Sequence, residues 1–105
     1  MRAVVILTTA PDTKTAERLA GILLRGKMAA CVSYGGPFVS SYPWKGRFEK
    51  QREVLLFIKS AKNHFSKVKK AILKAHPYDV PEILCLPVSE GSESYLGWMS
   101  KVMRS

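Results

Sequence analysis

Two long β-rich runs on either side of Lys45-Gly46 constrain this chain more than any other feature. The first starts at Ala29 and passes through Cys31, Val32 and Tyr34 to Val39. The second covers Arg47 to Ser60, with Val54-Leu55-Leu56-Phe57-Ile58 as its apolar centre. Glycine at position 46 permits a positive φ, so Lys45-Gly46 reads as part of a hairpin turn. Gly35-Gly36-Pro37 interrupts the first run and predicts a bulge or bend, since proline cannot donate to a ladder. A chain of 105 residues forms one domain, 1–105, with a core of ordinary size. Two helices of such a domain cannot cover a hairpin this long. Tyr42, Trp44, Phe48 and Trp98 add aromatic surface, and a protruding ribbon has edges that need partners. The residues alone therefore predict an oligomer.

The remaining segments fit around that hairpin. Arg2 to Thr9 is β-branched and apolar, a pattern that predicts a strand buried on both faces. Asp12 or Thr13 is the expected N-cap of a helix whose stripe is Ala16, Leu19, Ala20 and Leu23, with Gly26 as its stop. Asn63 or a neighbour caps a second helix with Phe65, Val68, Ile72 and Leu73 on its apolar side. Pro77 ends it. Ile83 to Val88 is a fourth strand, and Ser92 or Ser94 caps a last helix through Tyr95, Leu96, Trp98, Met99 and Val102. The order is β-α-β-β-α-β plus a terminal helix. Right-handed crossovers then place both main helices on one face of an antiparallel four-stranded sheet, an α+β, ferredoxin-like sandwich.

Composition bounds the function. Seventeen Lys and Arg against eight Asp and Glu give a net charge of +9. The cations are scattered singly or in pairs, with no RNP-like aromatic signature and no helix-turn-helix pattern. The expectation is a solvated basic surface and no specific nucleic-acid partner. No apolar run approaches the ~20 residues of a membrane span, and Val4-Val5-Ile6-Leu7 is too short for a signal-peptide core. Two cysteines cannot build a disulfide framework. A cytoplasmic, reduced protein without a membrane partner is expected.

Four segments carry more information: Ala29-Ala30-Cys31-Val32, the run Ser40-x-Tyr42-x-Trp44-x-Gly46, Glu53 to Lys59, and His76-Pro77-Tyr78-Asp79-Val80-Pro81-Glu82-Ile83. Together they resemble the CutA divalent-cation tolerance proteins, over nearly the whole chain from Thr8-Thr9-Ala10-Pro11-Asp12 to Tyr95-Leu96-x-Trp98. The resemblance implies a ferredoxin-like fold related to the PII signalling proteins and a homotrimer whose hairpins pair across subunits. It further implies a non-enzymatic role in tolerance of copper and other divalent metals. No cofactor is obligatory on this reading; copper or another divalent cation is a weakly held ligand. Three positions depart from the family pattern. Ser33 stands where asparagine is usual, Pro43 replaces a frequent aromatic, and Thr8 occupies a position where some members carry a copper-associated cysteine.

Cys31, Cys85 and His76 are the candidate metal ligands, because thiolate and imidazole suit copper. Their plainer roles are buried inert thiols and a histidine capping helix carbonyls. In the expected sheet the two cysteines sit at opposite edges, ~14 Å apart and beyond the ~7 Å reach of a disulfide. An intersubunit pocket is expected to combine His76, Tyr78 and Glu82 with Trp44, Lys59 or Glu53 from a neighbouring chain, alongside Tyr42 and Trp98. Alternatively, Glu53, Lys59 and Glu82 form structural ion pairs at the interface. His64 matches no motif and is expected to be exposed. A PII-like sensor taking a small anionic ligand in an intersubunit cleft is the competing function, favoured by Lys59 and the basic excess. Catalysis is set aside, for no nucleophile with a substrate logic is visible.

Overall fold

The computed structural model describes residues 1–104 of the chain. Strand β1 (Ala3–Ala10) leads to helix α1 (Thr13–Arg25), then to the hairpin β2 (Cys31–Trp44) and β3 (Arg47–Ala61). A single 3-10 turn, Lys62–His64, opens helix α2 (Phe65–Ala75), followed by β4 (Leu84–Pro87) and α3 (Glu93–Arg104). The strands form one sheet in the order β2-β3-β1-β4, and each neighbouring pair is antiparallel.

One face of the sheet carries the core. Val4, Ile6 and Ala10 of β1 and Val54, Leu56 and Ile58 of β3 meet Ala16, Leu19 and Leu23 of α1 and Val68 and Ile72 of α2. The expectation that β1 is buried on both faces fails, because both packing helices lie on the same side. Val5 and Leu7, pointing the other way, are only half-buried. They belong to an open apolar face. Leu7 lies opposite Phe57 on one side and Leu84 on the other, and Val5 lies opposite Lys59 and Leu86. Phe57, Leu84 and Leu86 are 41%, 53% and 44% exposed there.

The helix ends differ from expectation in instructive ways. Asp12 caps α1 as expected, its Oδ1 accepting the Thr15 N–H at 2.8 Å. Gly26 is the C-cap of α1 as expected, but the left-handed residue that closes the helix is Lys27. Lys27 takes the left-handed conformation at φ 55, while Gly26 stays at φ −84. The Lys27 and Met28 amides then donate to Leu24 and Leu23 carbonyls at 3.1 and 2.9 Å, the paired bonds of a Schellman ending. Asn63 does not cap α2; the 3-10 turn delivers the chain to His64, whose side chain makes no capping bond. His64 is half-buried rather than exposed. Leu73 is also misassigned by periodicity. It lies about 100° round the helix from Ile72 and is exposed, while Ala71 and Ala75 pack inward.

The hairpin reaches further than its core. Positive φ at both Lys45 (50) and Gly46 (78) makes a type I′ turn, so β2 continues past Val39 to Trp44. Phe48, beside the turn, is 92% exposed. The register shifts between Gly35 and Phe38, where the glycine-proline interruption predicts a bulge. Gly36 is obligatory in that bulge, since a Cβ there would sit 2.7 Å from the Glu53 carbonyl oxygen. The bulge thus fixes where Glu53 lies. Charge is unevenly spread over the fold. Lys14, Arg18 and Arg25 on α1 and Lys62, Lys67, Lys69, Lys70 and Lys74 across the turn and α2 share their elements with one carboxylate, Glu17.

Candidate functional site

A cleft of about 620 Å³ opens beside the C-terminal end of β1, between the hairpin and the segment linking α2 to β4. Tyr42, Trp44, Glu53, Tyr78 and Glu82 line it, with Thr9, Ser40, Ser41, Gln51, Asp79 and Val80. These residues come from a single chain, whereas the sequence reading assigns Trp44 and Glu53 to a neighbour. The strand register explains it. Beyond the bulge, β2 and β3 run side by side with Ser40 opposite Gln51 and Tyr42 opposite Glu49, which brings the aromatic run over the end of β1.

His76 holds the floor together. It is 8% exposed. Its Nε2 donates to the Thr9 carbonyl at 2.6 Å, and its Nδ1 accepts the Tyr78 amide at 3.1 Å. The two rings lie 4.6 Å apart and tilted. Both imidazole nitrogens are committed, so His76 ties α2's exit to β1 and has no lone pair left for a metal. The expected capping role holds through the backbone, since His76 is the C-cap of α2 and its amide donates to the Ile72 carbonyl at 2.8 Å, while its ring is taken up by Thr9 and Tyr78. From this anchor Tyr78 reaches across, its hydroxyl donating to Glu53 Oε2 at 2.9 Å. Burial first, then the hydrogen bond and charge of Glu53, push the Tyr78 phenol well above its ordinary value of 10.0. Tyr42 Oη donates to Gln51 Oε1 at 2.7 Å on the opposite wall.

Two expected members lie elsewhere. Lys59 is six residues from Glu53 along β3, about 20 Å at strand rise, so the two do not pair. Lys59 Nζ donates to Ser33 Oγ at 2.5 Å and lies 3.9 Å from Cys31 Sγ on the open face of the sheet. Trp98 belongs to α3, stacked at 5.6 Å on Tyr95, whose phenol is raised by burial and then by the neighbouring Cys31 thiol. The cysteines are separated by edge and by face. Cys31 lies opposite Lys59 on β2, while Cys85 lies opposite core residue Ile6 on β4 and packs against the core. Among the described residues no group of three or more His, Cys, Asp or Glu side chains is gathered to hold a metal ion. The expected grouping of His76, Cys31 and Cys85 is therefore not made within one chain.

Thr9, Ser41 and Gln51 have no chemical signature of their own, and the strand register brings them to the cleft, while Ser40 and Val80 lie inside the motifs already noted. Asp79 lies inside the His76–Ile83 segment, and its carboxylate is the signal that marks it for the cleft. A second cavity, of about 450 Å³, is lined by Arg2, Lys62 and Arg104 together with Asn63 and His64.

The whole architecture has close counterparts. The family model described as CutA1 divalent ion tolerance protein matches residues 4–102. The divalent-cation tolerance protein CutA of Pectobacterium atrosepticum is 46% identical over 97% of this chain and 93% of its own. The crystal structure of CutA1 from Oryza sativa superposes with a TM-score of 0.94 at 32% identity, covering 97% of this chain and 94% of that one. The Archaeoglobus fulgidus structure, described as the periplasmic divalent cation tolerance protein CutA, gives 0.93 at 32% identity over 96% and 98%. On sequence and on fold alike, the chain belongs to the CutA1 divalent ion tolerance protein family.

Proposed function

We propose that this chain serves divalent-cation tolerance in the cytoplasm as a non-enzymatic homotrimer with a ferredoxin-like, PII-like arrangement. The observation that carries the assembly is the open sheet face, where Leu84, Leu7 and Phe57 lie side by side across three strands with Leu86 and Val5 in the next row. Apolar surface of that continuity is stable in water only when a partner covers it. Neighbouring copies cover it here, and their hairpins pair beyond the bulge. Copper or another divalent cation is bound weakly, through donors that different subunits bring together. Cys31, half-buried on the open face beside Lys59, supports the reading as a soft donor; the His76 ring is engaged by Thr9 and Tyr78, and Cys85 packs against the core. The lysine-rich helical layer stays solvated, without stacking aromatics for bases, and no nucleic-acid or membrane partner is assigned to it.

Sedimentation velocity at micromolar concentration tests the assembly: a single species of three chains is expected, and a stable folded monomer overturns the proposal. Titration with cuprous and cupric ions should show weak binding that falls in Cys31→Ser. Equal affinity in that variant removes Cys31 as a ligand. A second reading, a sensor of small anions, draws on the cavity lined by Arg2, Lys62 and Arg104. Thermal shifts with nucleotides and organic acids test it, and a flat response across the set rejects it.

A further inference from the structure

The cavity of about 450 Å³ lies where β3 ends and the 3-10 turn opens α2, at the opposite end of β3 from the hairpin tip. None of Val5, Leu7, Phe57, Leu84 and Leu86, the open-face residues assigned to neighbouring copies, lines it. Three cations come to it from separate parts of the chain: Arg2 ahead of β1, Lys62 in the turn and Arg104 at the end of α3. Among the described residues no Asp or Glu lines it. The Lys62 amide donates to the Arg2 carbonyl at 2.8 Å, so two of these like charges spring from adjoining backbone. Such crowding is unfavourable until an anion is shared between them. The turn and α2 each begin without a side-chain cap and with no acidic residue in the first turn, which leaves the positive end of the helix unanswered. His64, on the cavity wall, has its Nδ1 buried without a hydrogen-bond partner among the described residues. An orphaned polar atom of this kind marks a place where a bound water or ion completes the structure.

Building on the small-anion reading of this cavity, we infer that its ligand is a small phosphate monoester. The phosphoryl group meets Arg2, Lys62 and Arg104 and sits at the uncapped helix start. With the proton on Nδ1, the His64 ring gains the acceptor it lacks. A carboxylate brings one charge and two oxygens, whereas a phosphoryl group brings nearly two charges and three acceptor oxygens, enough for cations that arrive from three elements. Inorganic phosphate alone underfills about 450 Å³, and Ala61 and Met103 supply an apolar wall for an organic body. No covalent step is involved and no metal ion takes part.

Calorimetric titration of the full chain in phosphate-free, chelator-treated buffer tests this, with phenyl phosphate and AMP as probes and inorganic phosphate, adenosine and citrate as comparisons. Phenyl phosphate and AMP are expected to bind, inorganic phosphate more weakly, and adenosine not at all. Arg2→Gln and Lys62→Gln should each cost about tenfold in phenyl phosphate affinity, the loss of one charge-assisted contact. Lys74→Gln, which removes an equal charge outside the cavity, should leave that affinity unchanged. Asn63→Asp sets a carboxylate in the lining at an exposed position, and it should abolish phosphate binding with no fall in melting temperature. An equal loss in Lys74→Gln shows diffuse attraction to a basic surface and overturns the proposal, as does adenosine binding as well as AMP. Citrate binding without phosphate ester binding also overturns it and leaves the small-anion reading standing. A flat response to every anion ends both.

Discussion

Thr8 and Tyr78 show how single side chains record the compromises around the cleft. Thr8 is fully buried on β1 with its hydroxyl oxygen unpartnered. A buried hydroxyl without a hydrogen bond costs about 1–3 kcal/mol relative to a satisfied one. Thr8→Val, nearly the same shape, is therefore expected to raise stability by about 1 kcal/mol, read as a higher urea midpoint with an unchanged slope. Tyr78 works through charge. Its folded phenol titrates above the unfolded one, so the stability it contributes is complete below pH 10.0 and is lost as pH rises beyond that value. Stability measured across the alkaline range should fall less steeply in Tyr78→Phe than in the parent. An identical slope in the two proteins would show that the Tyr78–Glu53 contact does not govern that loss.

At the scale of elements, the end of α1 offers the clearest test. A non-glycine residue in the left-handed region costs roughly 1–2 kcal/mol, part of which glycine gives back through greater freedom when unfolded. Lys27→Gly should then stabilise by about 0.5–1 kcal/mol, with a raised melting temperature as the readout. The sequence made β1, α1, the hairpin turn and the bulge legible because each has a local cause: a β-branched apolar run, an Asx cap, a glycine turn, a proline. It misled where the cause was tertiary. Gly26 marks the cap position but not the left-handed residue, which is Lys27, and Leu73 looks like core because two alanines are weak markers of a stripe. The cleft was half legible. The aromatic run and the His76–Ile83 segment announced themselves, but their meeting inside one chain depends on a register shift at Gly36. His76 read as a ligand because sequence shows an imidazole and not the two bonds that occupy it.

At the scale of the whole molecule, α1 and α2 turn a lysine-rich surface outward on one side of the sheet, and the other side presents leucine and phenylalanine. Such two-sidedness favours association through the apolar side alone, since the basic layers repel one another. Leu84→Glu, at a position 53% exposed in the single chain, should leave the fold intact and shift sedimentation toward single subunits. Melting of the parent should rise with protein concentration, and that dependence should vanish in the variant.

The overhanging tip has one more effect. Phe48 and the turn at Lys45-Gly46 extend past everything in their own subunit that could shelter them, and the nearest peptide bonds follow Lys45, Arg47 and Lys50, the side chains trypsin recognises. On the proposed trimer, dilution should therefore convert a resistant protein into one nicked first at this tip, and the cutting rate becomes a gauge of how many molecules have lost their companions.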